Sequence, residues 1–171
     1  MKGYFASHFF NDAVFRWTEE VASYIEDETG IAMYVPQRNA EINDKRENDN
    51  IITDIKIAQA DTLELKKANI LFACLDGLTI DDGVAGEVMG FGLIKEMEEE
   101  YSIVTKKPRL IIGIITDMRW QGTGDNHLYR NLMILGKVRE HGYIVEGYPG
   151  EDDYKKEIVK IVKKFKEQNN L

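Results

Sequence analysis

The chain has 171 residues, with 22 Lys and Arg against 30 Asp and Glu, a net charge of −8, and 43% hydrophobic residues. This composition is globular and predicts one domain over residues 1–171, while the negative surplus argues against a nucleic acid polymer, whose binding runs on Lys and Arg contacts to phosphate. No apolar run reaches membrane-spanning length, the start MKGYFASHFFND turns polar too soon for a signal peptide, and the lone Cys74 excludes an internal disulfide, so a cytoplasmic protein without a membrane partner is expected.

Short apolar runs alternate with helical patterns along the chain. Gly3 to Ala6 reads as a strand, and Asn11 as the cap of a helix whose Val14, Phe15, Trp17, Val21, Ala22 and Ile25 recur at helical spacing. Ile31 to Val35 reads as a second strand that stops at Pro36. Gln37 to Asn50 is a polar loop, too long and charged for a plain connection. A helix is predicted from about Asn50 towards Ala60. Asp61-Thr62-Leu63-Glu64 then has the form of a capping box opening a second helical turn.

Ile70 to Leu75 is a near-continuous apolar run, as expected of a strand buried on both faces. A loop from Asp76 to Asp82 leads to a helix over Val84 to Glu100. Leu110 to Thr116 is the next buried strand, followed by a loop over Asp117 to Asn126 and a helix near Leu128 to Glu140. Tyr143 to Glu146 is a weaker last strand, and Asp152 to Gln168 a final amphipathic helix with a Lys-rich end. The alternation predicts an α/β fold: a flavodoxin-like, doubly wound, five-stranded parallel sheet in the order 2-1-3-4-5, with helices on both faces. Ligands of such sheets sit outside the carboxyl ends of the strands, where the order reverses between the first and third.

The segments that meet there lack the glycine fingerprint of dinucleotide sites and the phosphate-binding loop of nucleotide hydrolases, and no cofactor is implied. The first strand runs out into Ala6-Ser7-His8-Phe9-Phe10-Asn11, which can wall a planar ring with Phe10 and offer a hydroxyl from Ser7. After the third strand come Leu75-Asp76-Gly77 and then Asp81-Asp82-Gly83-Val84-Ala85-Gly86-Glu87, carboxylates bracketed by glycines at a helix start. Glycine lets a ligand approach the backbone, at Gly83 in particular. A helix N-terminus favours an ionised carboxylate in its first turn, so Glu87 is expected to be held anionic, as a carboxylate nucleophile requires. Plain helix capping is the simpler use of such acids. It explains neither the glycines nor the convergence of Asp61 on the same strand.

These residues resemble the nucleoside 2-deoxyribosyltransferase family. The resemblance runs from Tyr4 to about Leu135 in the family's order. It is carried by Tyr4-Phe5-Ala6-Ser7-His8-Phe9-Phe10, by Asp61 with Ala68-Asn69-Ile70, and by Leu75-Asp76-Gly77 with the block Asp81 to Gly92. Thr116-Asp117, Arg119 and Asn131-Leu132-Met133 complete it. Asp82 and Val84 replace the Ser and Thr of the family's central block, and Met89 is an extra residue before Gly90. The Lys-rich end replaces a short tail, so the tail's terminal carboxylate has no counterpart at Leu171.

The resemblance implies exchange of the base of a 2′-deoxyribonucleoside for a free nucleobase through a covalent deoxyribosyl-enzyme, with retention at C1′. It makes Glu87 the nucleophile, with Tyr4 hydrogen-bonded to it. Asp61 and Asp81 become base-contacting carboxylates, Asp81 donating the proton with its pKa raised by the Glu87 anion. Asn131 would be lent to the sugar of a neighbouring subunit in a dimer-based homo-oligomer, up to a hexamer. Gln37, Asn39 and Asn43 could read the base edge. Asp117 is a substrate-loop residue paired with Arg119, which in a nucleotide-hydrolysing relative could meet a phosphate.

His8, His127 and His141 are too scattered to suggest a metal site. Cys74 reads as an inert core thiol, Trp17 as core, and Trp120 as a loop residue for a base or an interface. Two rival readings remain: a nucleoside or nucleoside 5′-monophosphate N-glycosidase on the same scaffold, and a non-catalytic nucleotide-binding module.

Overall fold

The computed structural model describes residues 1–43, 51–101, 107–120 and 130–171. Five strands form one parallel sheet: β1 (Lys2–Ala6), β2 (Ala32–Tyr34), β3 (Ile70–Cys74), β4 (Leu110–Ile115) and β5 (Gly142–Glu146), in the predicted order β2-β1-β3-β4-β5. Around them lie helices α1 (Asp12–Thr29), α2 (Ala40–Asn43), α3 (Asp54–Lys67), α4 (Asp82–Glu100), α5 (Leu132–His141) and α6 (Asp153–Asn169).

Side-chain alternation along the strands sorts the core into two layers. Tyr4 and Ala6 of β1, Leu71 and Ala73 of β3, and Ile111 and Ile115 of β4 face α3, α4 and α5. Phe5, Ile70, Phe72, Ile112 and Ile114 face α1 and α6. All of β3 is buried, which accounts for its unbroken apolar run. The register pairs Tyr4 with Leu71 on one side and with Tyr34 on the other. Two tyrosines therefore stand side by side at the β1–β2 edge of one face.

Local chemistry sets most element ends. The Asn11 side chain accepts from Val14 N at 3.1 Å to open α1, and Gly30 closes it at φ 66°, a left-handed conformation that suits glycine. Thr18, Val21, Ala22, Ile25 and Thr29 of α1 form its buried stripe. Trp17, read as core, donates its indole N–H to Tyr154 Oη at 3.0 Å. Asp81 opens α4 by accepting from Val84 N at 3.2 Å.

Three expectations are corrected. Asp61 opens no second turn, because α3 is one continuous helix capped by Thr53, whose hydroxyl accepts from Lys56 N. The capping-box pattern loses to the apolar and helix-forming residues that carry the helix straight through it. The helix expected near Leu128 begins instead at Leu132, after Asn131 accepts from Met133 N and Ile134 N. The polar segment after Val35 is partly ordered as a helical turn over Pro36–Arg38 and as α2. Its positions 44–50, like 121–129 with His127 and the rest of the loop after β4, lie outside the described residues. No helix among the described residues is long and apolar enough to cross a membrane.

Candidate active site

Tyr4 is wholly buried, yet its hydroxyl must find a partner, and the partner is Glu87. Glu87 lies in the second turn of α4, one turn from Val84 and from Phe91 along the buried stripe, so its carboxyl is drawn under the rim of the sheet. The Tyr4 hydroxyl donates to Glu87 Oε1. Tyr34, its ring centroid 5.3 Å from that of Tyr4, donates to Asp61 Oδ1 at 2.9 Å. Asn39 donates in turn to the Tyr34 hydroxyl at 3.2 Å. Three carboxyls, Asp61, Asp81 and Glu87, thus converge on one corner at the carboxyl ends of β1 and β3. The charges of Asp61 and Asp81 both act on Glu87.

The electrostatics reverse one expectation. Glu87 is not held anionic by the helix N-terminus, since it stands beyond the first turn, where the helix dipole has faded. Burial lifts its pKa from 4.5 to about 7, and the Asp61 and Asp81 charges add to that rise. The Tyr4 hydrogen bond opposes it by stabilising the anion. Burial also raises Asp61, against the Tyr34 hydrogen bond. A carboxyl poised near neutrality in a crevice is a functional-site signature.

The remaining predicted residues divide. Asp81 uses Oδ1 to cap α4, and Gly83 beside it is tight, since a Cβ there would stand 3.1 Å from that oxygen. Gly86 opens on empty space. Phe10 is 75% exposed and packs on Phe9, available as a wall. Asn131 is exposed at the start of α5, beside the exposed Leu132 and Met133.

Ser7 is not brought to Glu87: it is buried towards α1, sharing a hydrogen bond of 2.7 Å with Thr18 Oγ1. Gln37 spends its amide N–H groups on Phe15 O and Glu19, and Asn43 donates to Pro36 O, so the structure engages both within the fold. Asp117 pairs with Arg119 as expected, which holds its carboxyl down to about 2. Burial pushes the Cys74 thiol up to about 12, which makes it inert.

Two residues of this end of the sheet, Tyr34 and Arg130, were not singled out in the sequence, and Asp76 was named there without a role. Tyr34 had a usable signal, since strand alternation and parallel register place it beside Tyr4. Asp76 accepts from Thr116 N at 2.7 Å, Thr116 Oγ1 at 2.5 Å and Asp117 N at 2.9 Å, and so shapes the loop after β4. Arg130 is buried there with no local signal in its sequence. Among the described residues one group could approach a cation, Glu96, Glu140 and His141 between α4 and α5. Lys137 already pairs with both of its glutamates.

A solved structure described as a conserved protein from Enterococcus faecalis V583 is 28% identical and superposes with a TM-score of 0.74, covering 96% of this chain and 98% of that one. A 2-deoxyribosyltransferase from the psychrotolerant bacterium Bacillus psychrosaccharolyticus is 20% identical, with a TM-score of 0.48 over 81% of this chain and 82% of that one. The search of curated proteins found no match. The family model of the nucleoside 2-deoxyribosyltransferases matches residues 4–133, which span β1, the three converging carboxyls and the start of α5, and the chain therefore belongs to that family.

Proposed function

We propose that the protein transfers a 2-deoxyribosyl group between nucleobases, with Glu87 as the carrier. The observation that carries this reading is the Tyr4–Glu87 pair: a carboxyl in the second turn of α4, lifted to about 7 and oriented by a buried phenol. Cleavage of a glycosidic bond develops positive charge at C1′. A Glu87 anion facing C1′ stabilises that charge and can bond to it. In the first step a Glu87 oxygen bonds to C1′ as the bond to the base nitrogen breaks. The electron pair leaves with the base, and Asp81 supplies the proton that neutralises it. In the second step the incoming base attacks C1′ through its nitrogen, the bond to Glu87 breaks, and a proton returns to Asp81. Two displacements on one carbon restore the starting configuration. Asp61, fixed by Tyr34, contacts the base edge, with Phe10 as a wall.

Tyr4 acts through Glu87. In Tyr4→Phe the opposing hydrogen bond is gone, so the Glu87 pKa should move above about 7 and the acidic limb of the pH–rate profile should shift to higher pH. A loss of ~10-fold at neutral pH is expected from one charge-assisted hydrogen bond. A tyrosine that merely filled the core would leave the midpoint of that limb in place.

Asn131 is proposed to reach the sugar of a neighbouring subunit in a homo-oligomer, since it stands exposed with Leu132 and Met133. Asn131→Ala should cost about 1 kcal/mol of stability through the lost cap of α5. Mixing Asn131→Ala with Glu87→Ala protein should regain exchange if the two residues serve one site from two chains. Mixed oligomers with no activity would confine Asn131 to capping.

Supplying a 2′-deoxynucleoside together with a second free base tests the reading as a whole. Appearance of the exchanged nucleoside supports transfer, whereas release of free deoxyribose at the same rate with and without acceptor would assign hydrolysis instead.

A further inference from the structure

The two tyrosines at the β1–β2 edge do the same work with different support. Each donates its hydroxyl to one carboxyl, Tyr4 to Glu87 Oε1 and Tyr34 to Asp61 Oδ1 at 2.9 Å. Tyr4 is wholly buried, and core packing holds it in place. Tyr34 is only partly buried. Its ring rests against that of Tyr4, with centroids 5.3 Å apart, and Lys2 Nζ lies 6.0 Å from its centroid. Its hydroxyl has a second partner, since Asn39 Nδ2, just beyond the turn that follows β2, donates to it at 3.2 Å.

The direction of this chain of hydrogen bonds is fixed by its first member. An amide nitrogen gives protons and accepts none, so the Tyr34 oxygen receives one from Asn39. The hydroxyl has a single proton of its own, which points to Asp61 Oδ1. Burial pushes the Tyr34 phenol up, so that proton stays on it. Asp61 Oδ1 is therefore an acceptor already in use. Among the described residues Oδ2 has no hydrogen-bond partner, and it is the oxygen left for a ligand. Asp61 also ionises before Glu87. Burial raises both carboxyls, but the Asp61 charge lifts Glu87, while the Tyr34 hydrogen bond favours the Asp61 anion.

An ionised oxygen can hold a base only through an N–H group. Adenine and cytosine carry an exocyclic amino group where hypoxanthine and uracil carry a carbonyl oxygen, which a carboxylate repels. We propose that Tyr34, held by Asn39, is a positioning residue that presents Asp61 Oδ2 to the base as an acceptor, so that the preferred bases are those with an exocyclic amino group. This rests on the reading of Asp61 as a base contact beside Glu87 and names the class of base that it selects.

The test compares kcat/KM for adenine and hypoxanthine as acceptors, with one fixed donor. The wild type should favour adenine by ~10-fold or more, the effect of one charge-assisted hydrogen bond. In Tyr34→Phe the carboxyl is free to turn, and the preference should fall to about threefold or less, with Asn39→Ala in between. A tyrosine that only packed would lower the rate with both bases alike.

Asp61→Asn gives the sharper outcome. The Tyr34 proton still needs an acceptor, so the new amide turns its oxygen to Tyr34 and its NH2 to the base. The preference should then invert towards hypoxanthine, whose carbonyl accepts. In the double variant Tyr34→Phe, Asp61→Asn nothing fixes the amide, and the inversion should disappear. No preference in the wild type, an unchanged preference in Tyr34→Phe, or no inversion in Asp61→Asn overturns the proposal. Should Tyr34→Phe fail to fold, the Asp61→Asn inversion decides.

If no base is exchanged at all, the deoxyribosyl reading fails by itself, and binding then judges Tyr34. Calorimetry on the full-length wild type should give adenine a Kd ~10-fold below that of hypoxanthine, and Tyr34→Phe should bring the two values together. Equal Kd values in the wild type, or an unaltered ratio in Tyr34→Phe, overturn the assignment.

Discussion

Glu87→Ala is expected to eliminate base exchange, by ~10⁴-fold or more, because a missing nucleophile removes the covalent route and the surrounding contacts rescue only a small remainder. The fold should survive. Glu87 is half-buried at the rim, and Val84, Val88 and Phe91 of α4 keep their places in the core. Intact-mass measurement after mixing with donor should show a deoxyribosyl increment on the wild-type chain and none on Glu87→Ala. Circular dichroism should show the helix content retained. Normal exchange by a Glu87→Ala protein would remove the mechanism altogether. Unchanged function in that variant is what a non-catalytic nucleotide-binding module would give.

The second large effect is on stability, and it has the opposite sign. The Glu87 carboxyl titrates near 4.5 when unfolded and at about 7 when folded. Below pH 4.5 both states hold the proton. Between about 4.5 and 7 the unfolded chain releases it while the folded chain keeps it, so stability is lost progressively as pH rises and then levels off above 7. At pH 8 the folded protein carries a buried anion at a cost of about 2 kcal/mol, a figure discounted from the full shift because the carboxyl is partly solvated. Glu87→Gln removes that cost and can still accept from Tyr4. Its melting temperature should exceed that of the wild type by about 4–8 °C at pH 8, with the gap closing by pH 4.5. A gap of equal size at both pH values would mean that the gain comes from packing rather than from charge. An enzyme stabilised by losing its reactive group is the expected trade-off for a site built around a strained charge.

Much of the fold was legible because its signals are local. The apolar run of β3, the Asn11 cap, and the regular alternation of strand and helix each depend on a few neighbouring residues. Sheet order followed from chain alternation and the handedness of parallel crossovers. Glu87 and Asp81 were legible for a similar reason: acids set among glycines, at a strand-to-helix turn on the sheet's open edge, stand out in one dimension. The pattern at Asp61 was misread because a capping box looks the same inside a longer helix, and only the continuation of α3 distinguishes the two.

Composition, strand periodicity and helix-end chemistry were enough to specify a five-stranded parallel sheet and to point to its β1–β3 edge, because these depend on interactions within a turn or two of chain. The protonation of Glu87, the inward turn of Ser7 and the pairing of Tyr34 with Asp61 came from the assembled fold alone. Each is set by desolvation and by partners distant in sequence: Tyr4 is 83 residues from Glu87, and Asp76 is 40 from Thr116. Burial and long-range pairing are properties of the packed chain, and no window of sequence contains them.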